Sequence, residues 1–355
     1  MRKLASIRKI KQIKEHKNAD ALEIAVVDGW QCIVKKDEFK EGDLGIYFEI
    51  DSFLPIREEF EFLRKSCYKK MGDKEGFRLK TVKLRGEISQ GLILPMITLE
   101  KFMEYEDYIN LKEGDDITEL LGVQKYEQPF PAKLAGEVLG NFPGFMPKTY
   151  QERIQNLYDE YSLEYKDVEF EATIKLDGSS MTVFCIDDNW NDKERVKFQN
   201  RYIGVCSRNL ELKEKTGNTL WEVFNNFKEI FVEYCINNKR NLALQGEIMG
   251  PGIQGNREKL NKHEFYLYDI FDIDKQRYLS PTERSEVNKE LNLKECPVVE
   301  HVKILNKSLE EILEYAEGES INHKTREGVV FKANIDGEHI SFKAISNKFL
   351  LKGGS

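Results

Sequence analysis

No apolar run in the 355-residue chain approaches the length of a membrane span. Met1-Arg2-Lys3-Leu4-Ala5 leads into no apolar core of the kind a secretion signal carries. These absences set the expectation of an intracellular protein, cytoplasmic or nuclear, with no membrane partner. The six cysteines, at 32, 67, 185, 206, 235 and 296, never fall into Cys-x-x-Cys spacing. Neither a zinc site nor a disulfide framework is therefore indicated, and reduced thiols are expected. The five histidines form no His-Glu-x-x-His arrangement, which argues against a zinc hydrolase. Internal repeats and low-complexity segments are absent. Proline is sparse, and four of its nine residues crowd at 129, 131, 143 and 147, marking 126–147 as a linker or irregular pad between domains.

The composition, 40% hydrophobic and 33% charged, is that of a globular protein, and the length suffices for two domains with a sizeable core. A net charge of -8 argues mildly against nucleic acid as a partner. The sum hides a local contrast: Arg64 to Arg85 holds nine Lys or Arg against Asp73 and Glu75, and residues 1–20 hold seven basic and two acidic side chains.

Residues 1–125 read as short strands with turns. Leu22–Val27 and Trp30–Val34 flank Asp28-Gly29 as a hairpin. Gly45–Ile50, Phe77–Leu84 and Gly91–Pro95 add further strands, and this spacing suggests a small barrel. Alternation along 77–84 sets Arg78, Lys80 and Lys83, with Arg85 just beyond, near one outer surface suited to tracking phosphates. Glu15–Ile24 with Val27-Asp28-Gly29-Trp30, and Arg85-Gly86 with Ser89-Gln90-Gly91-Leu92, resemble the signatures of tRNA-binding OB-fold domains.

From 168 onward, strands are predicted at 168–175, 180–187, 202–206, 241–249, 264–272, 297–303, 327–334 and 338–343. Residues 147–156 read as a capped helix start. A helix over 219–237 is predicted from Leu220, Val223, Phe224, Phe227, Phe231 and Tyr234 at helical spacing, a core-packing stripe. Lys175-Leu176-Asp177-Gly178 reads as a strand end followed by a two-residue hairpin turn. A lysine there is usually a solvated charge; its functional alternative is an amine nucleophile, once nearby cations or burial remove its proton.

Lys175–Gly178 is followed in order by Ser207-Arg208-Asn209, Gly246–Asn256, Tyr266–Phe271, Glu327–Lys332 and Ser341–Ala344. Each stretch is weak alone; six in this order over about 170 residues are a strong signal. The order resembles the covalent nucleotidyltransferase superfamily of polynucleotide ligases and capping enzymes. Gly-Glu-x-x-Gly-Pro-Gly-Ile-Gln-x-Asn within it resembles the nick-sealing RNA ligases, and the N-terminal barrel is similar to that of the Deinococcus- and Naegleria-type RNA ligases.

The resemblance implies an α+β chain. Residues 1–125 would form an OB-fold β-barrel that binds nucleic acid. After the 126–147 linker, residues 148–355 would form a mixed, mainly antiparallel nucleotidyltransferase (ATP-grasp-like ligase) domain. It implies ATP as AMP donor, magnesium or manganese as the metal, and nicked RNA or an RNA-containing duplex as the substrate; a monomer is the separate expectation. Lys175 would be the nucleophile that becomes lysyl-AMP. Lys332 and Lys343 would assist catalysis and contact phosphate, and Arg208 would bind phosphate. Asp177, Glu247 and Glu327 would hold the metal, with Glu247 alternatively on the ribose, and Tyr268 would stack on adenine.

One position departs from the pattern. Many relatives end on Lys-x-Lys, and Ile345 stands where the second lysine would be. Continued alternation places Lys348 on the face opposite Lys343, leaving Lys343 alone for the α-phosphate. DNA ligases and capping enzymes generally carry their OB domain after the last motif, and only 12 residues follow Lys343, which favours RNA ligase. An inactive RNA-binding protein is the other alternative; binding alone would not require an amine among carboxylates.

Overall fold

The computed structural model describes residues 3–127 and 137–352. Pro129, Pro131 and Gly136 of the expected linker lie outside the described residues. The chain divides into two compact units: Met1–Pro129 with Ile154–Glu160 and Asn347–Ser355, and Phe130–Arg153 with Tyr161–Ser346.

The first unit is an OB-fold built on a five-stranded sheet, ordered Leu92–Pro95, Leu44–Phe48, Ala5–Glu15, Leu22–Val27, Trp30–Lys35. Its inner face carries Ile7, Ile46 and Phe48, which pack with Leu54, Phe60 and Phe77 in one apolar core. The Asp28-Gly29 hairpin forms with Val27 opposite Trp30, and Asp28 takes the left-handed conformation at φ 49°. The Trp30 indole N–H donates to Asn156 at 2.6 Å, and Asn156 donates to Glu49 at 2.9 Å. A short stretch distant in sequence is thus tied to this sheet by buried polar groups that need partners.

The expected strand 77–84 is two strands. Lys74–Arg78 joins a sheet with Ser52–Pro55 and Tyr68–Met71, whereas Thr81–Leu84 pairs only with Glu87–Gln90. The break at Leu79-Lys80 ends the alternation, so Arg78 does not share an outer surface with Lys83. Arg78 is buried, 2.8 Å from the Asp51 carboxylate and 4.2 Å from the Tyr126 ring centroid.

The second unit has two main sheets. One is ordered Val138–Asn141, Leu210–Leu212, Arg201–Cys206, Ser179–Ile186, Leu242–Met249, Glu264–Asp272, Arg277–Tyr278. The other runs Glu152–Arg153, Glu338–Ile345, Gly328–Ile335, Phe170–Lys175, Val298–Val302. Phe170–Lys175 and Ser179–Ile186 therefore lie in different sheets. Lys175–Gly178 is a crossing from one sheet to the other and not the expected hairpin.

The predicted helix 219–237 is two helices, Thr219–Asn225 and Lys228–Asn237, interrupted at Asn226-Phe227. Asn218 caps the first by accepting from the backbone N–H groups of Leu220 and Trp221. Its apolar stripe does pack into the core under the first of these sheets, with Leu220, Phe224 and Phe231 fully buried. At 147–156 the helix begins only at Ile154, after the short strand Glu152–Arg153. Strand Glu338–Ile345 ends before a helix, Asn347–Leu351. Alternation does not continue to Lys348, which lies on that helix in the first unit.

Candidate active site

Register places the charged side chains. In an antiparallel pair, directly opposite residues share a face. Across three neighbouring strands, Lys175 stands opposite Gly328, and Gly328 opposite Ile345. Two residues along, Thr173, Val330 and Lys343 form the next row, and Glu171, Lys332 and Ser341 the row after. Lys175, Lys343 and Lys332 thus share one face of the sheet, with Ile345 two strands from Lys175. Gly328 permits this close pairing: a Cβ there would lie 2.2 Å from the Ala344 carbonyl oxygen.

Glu327 immediately precedes its strand and is 9% exposed. Its carboxylate sits 2.7 Å from Lys175 Nζ. Glu247 arrives from the other sheet, on Leu242–Met249, and Asp177 from the crossing itself. The Gly178 N–H donates to Glu247 at 3.2 Å. A Cβ on Gly178 would fall 2.5 Å from the Ile248 carbonyl oxygen and 2.8 Å from Glu247 Cγ. The glycine of Lys-x-Asp-Gly is needed for the crossing to pass close against the neighbouring strand Leu242–Met249.

Electrostatics follow from this crowding. Burial alone would lower the Lys175 pKa, but Glu327, Glu247 and Asp177 outweigh it, and the ammonium is held above its ordinary range. Burial, with Glu327 and Asp177 nearby, pushes Glu247 up to about 7 against the pull of Lys175. Burial and Glu327 push Asp177 up to about 6, against Lys175 and Arg257. Carboxylates raised this far mark an excess of buried negative charge, an environment that favours an added cation.

Arg257 is a member of the site that the sequence reading missed. Its guanidinium lies 3.4 Å from Asp177 and donates to the Thr325 carbonyl at 3.2 Å. It directly continues the glycine-rich Gly250–Asn256 run, and that adjacency was the available signal.

Tyr268 lies where the strand Glu264–Asp272 bulges: Gln245 opposes Asp269 and Gly246 opposes Leu267, leaving Tyr268 outside the ladder. Its hydroxyl donates to Thr149 Oγ1 at 3.1 Å. Burial, then Glu247, raises its phenol pKa, so it stays protonated. Tyr268 packs against a small apolar cluster that includes Leu176 and Tyr266. Lys332 is 2% exposed; its Nζ donates to the Tyr268 carbonyl and to Asp269, both at 2.8 Å, and lies 5.0 Å from the Tyr268 ring centroid. Lys343 Nζ is 5.9 Å from the Tyr150 ring centroid. Arg208 is exposed in the turn between Arg201–Cys206 and Leu210–Leu212. In the first unit, Lys80 is half-buried while Lys83 and Arg85 are exposed.

A small barrel, then two facing sheets with a lysine among three acids, define a class of enzyme, and comparison identifies it. The RNA ligase family model matches residues 168–345 and an OB-fold domain model matches residues 4–96; the chain belongs to the RNA ligase family. Among solved structures it is similar to Naegleria gruberi RNA ligase with PPi, at 45% identity over 99% of this chain and 98% of that one, with a TM-score of 0.87. A glutamate-to-alanine mutant of the same ligase with ATP and Mn matches at 45% identity over 98% of each chain, TM-score 0.87. Another such mutant, with AMP and Mn, matches at 45% over 98% of each chain, TM-score 0.86. No curated protein matches.

Proposed function

We propose that this RNA ligase uses ATP to seal 5′-phosphate and 3′-hydroxyl ends at nicks in RNA-containing duplexes, acting as a monomer. The observation that carries the reading is Lys175 Nζ at 2.7 Å from Glu327, with Glu247 and Asp177 beside it. The similar Naegleria ligase structures hold ATP or AMP with Mn, which supports the same nucleotide here.

In this reading, neutral Lys175 Nζ attacks the α-phosphorus of ATP. The N–P bond forms, the bond to the bridging oxygen breaks, and pyrophosphate leaves with that electron pair. The AMP then passes to the oxygen of a 5′-phosphate, releasing the lysine, and the neighbouring 3′-hydroxyl attacks that phosphate and expels AMP. Glu327 holds the ammonium in place before reaction. Lys343 and Lys332 lie on the same sheet face and stabilise charge building on the phosphate. Arg208 is free of described partners and suits a phosphate fork. Tyr268 supplies the platform for adenine. Arg257 orients Asp177.

Asp177, Glu247 and Glu327 suit a hard divalent ion, since all three offer carboxylate oxygens and these three acids face only the Lys175 ammonium and the Arg257 guanidinium as paired cations among the described residues. No ready-made cluster of three or more metal-binding side chains occurs among the described residues, so phosphate and water would complete the shell. When bound, magnesium or manganese supplies positive charge that weakens the carboxylates' hold on the Lys175 proton.

The first unit is assigned the nucleic acid, with Lys80, Lys83 and Arg85 as contacts; Arg78 is left to its internal pair with Asp51. No described helix is long and apolar enough to cross a membrane.

Incubation with α-labelled ATP or GTP and either metal, followed by a denaturing gel, tests the first step. Label from ATP that Lys175→Ala abolishes is expected. Absence of label under every condition would overturn the enzyme reading, and label from GTP alone would point to capping. Nicked duplexes with ribose or deoxyribose at the 3′-hydroxyl strand test substrate choice; sealing indifferent to the sugar would count against RNA specificity.

A further inference from the structure

A closed chain of hydrogen bonds runs behind Tyr268, and its directions are determined by chemistry. Gln245 is fully buried on Leu242–Met249, two residues before Glu247 and on the same side of that strand. Its amide nitrogen lies 2.8 Å from the Pro147 carbonyl oxygen, which can only accept. That fixes the amide orientation and turns Gln245 Oε1 toward two hydroxyls, Thr149 Oγ1 at 2.9 Å and Tyr278 OH at 3.1 Å. Both hydroxyls must donate to it. The single Thr149 proton is then committed, and Thr149 Oγ1 can only accept from Tyr268 OH, at 3.1 Å. The other end of Tyr268 is held as well, since its carbonyl accepts from Lys332 Nζ at 2.8 Å. A residue released from the ladder by a bulge would otherwise have freedom to swing; here both its ends are tethered.

We propose that Thr149 and Gln245 are positioning residues that fix the plane of the Tyr268 ring for the nucleotide base, and so set the affinity for ATP rather than the rate of the chemical step. The inference rests on the reading that Tyr268 stacks on adenine. Stacking requires the ring to be presented face-on, and a ring tethered before the ligand arrives gives up less freedom on binding. The tether is the hydrogen bond from the hydroxyl to Thr149, with the Ser180 side chain also beside that hydroxyl, and Thr149 relays it to a glutamine whose amide is itself locked.

The test is self-adenylylation kinetics with the full chain. Tyr268→Phe keeps the ring and removes only its hydroxyl, and Thr149→Val keeps the shape and removes only the hydroxyl that accepts from Tyr268. Each is expected to raise KM for ATP about ten-fold, the effect of losing one hydrogen bond near 1.4 kcal/mol, with kcat within about two-fold. The double variant should be no worse than Tyr268→Phe alone, since Phe already lacks the hydroxyl that donates to Thr149. Thr149→Ser should restore the parental KM. A merely structural role would lower thermal stability in Thr149→Val without moving KM at temperatures where the protein stays folded. Parental KM in both Tyr268→Phe and Thr149→Val overturns the inference. Tyr268→Ala separates the two layers. If it leaves KM unchanged, the stacking reading itself fails; if it raises KM while the two tether variants do not, only the positioning role fails.

Discussion

Asp269→Ala isolates the buried ion pair that holds Lys332 in place. Lys332 and Asp269 side chains are 2% and 4% exposed and 2.8 Å apart. Removing the carboxylate leaves an ammonium in the core with the Tyr268 carbonyl as its remaining described acceptor. Breaking such a pair costs about 3–5 kcal/mol, because the surviving charge keeps its desolvation penalty and loses its compensation. Against a typical folding stability of about 5–15 kcal/mol, this is a large fraction. Urea denaturation should show a clear fall in midpoint. The double variant Lys332→Met/Asp269→Leu removes both charges and replaces them with apolar volume, so most of the loss should return. Labelling with α-labelled ATP then separates stability from function. If Lys332 contacts phosphate, the double variant folds and does not label. A parental midpoint for Asp269→Ala would refute the reasoning, and efficient labelling by the double variant would remove Lys332 from the phosphate contacts.

Gly178→Ala should cost about 1–3 kcal/mol and suppress self-adenylylation, because the new Cβ meets the Ile248 backbone and Glu247 together; normal labelling with an unchanged melting temperature would contradict the close approach. Lys83→Glu/Arg85→Glu should weaken nicked-duplex binding and sealing while self-adenylylation stays near parental; gel shift and label from one preparation compare the two. Point variants are preferable to deleting residues 1–125, because Ile154–Glu160 and Asn347–Ser355 belong to the same unit, which the deletion would break up. Glu283 caps the helix Pro281–Leu291 and pairs with Arg277, whose hydrogen bonds bring its pKa down to about 2. Its contribution is fully present above the ordinary carboxylate pKa and is lost as pH falls from about 4.5 toward about 2. With a half-exposed pair it is worth about 1 kcal/mol, so Glu283→Gln should lower neutral-pH stability and flatten the acid limb of a pH–melting curve. An unchanged acid limb would count against that pair.

The strands of the second unit were legible because period-two alternation and bounding turns are local properties. The prediction of 264–272 matches Glu264–Asp272, and 241–249 differs by one residue from Leu242–Met249. The short stretches that carry Lys175, Asp177, Glu247 and Glu327 were legible in order, and the fold brings these four together. Arg257 was missed because its one local signal, adjacency to the glycine-rich run, does not name a partner; it reaches Asp177 across 80 positions of chain. The break at Asn226-Phe227 was hidden since the apolar stripe runs through it without interruption.

Local periodicity determined which segments read as strands and which apolar stripe is buried, and the order of six short stretches singled out the one that carries the lysine. Tertiary pairing alone decided which sheet each strand joins. Lys175–Gly178 has the residues of a hairpin, yet its two flanking strands pair into different sheets, the first with Val298–Val302 and Gly328–Ile335 and the second with Arg201–Cys206 and Leu242–Met249, and the turn becomes a crossing that carries Asp177 and brings Lys175 beside the strand of Glu247. Arg78 belongs to an alternating basic run, yet Asp51 and Tyr126 draw it inside. The physical reason is the same in both cases. Backbone propensity acts over a few residues, whereas burial and charge pairing are settled by whatever the folded chain brings alongside.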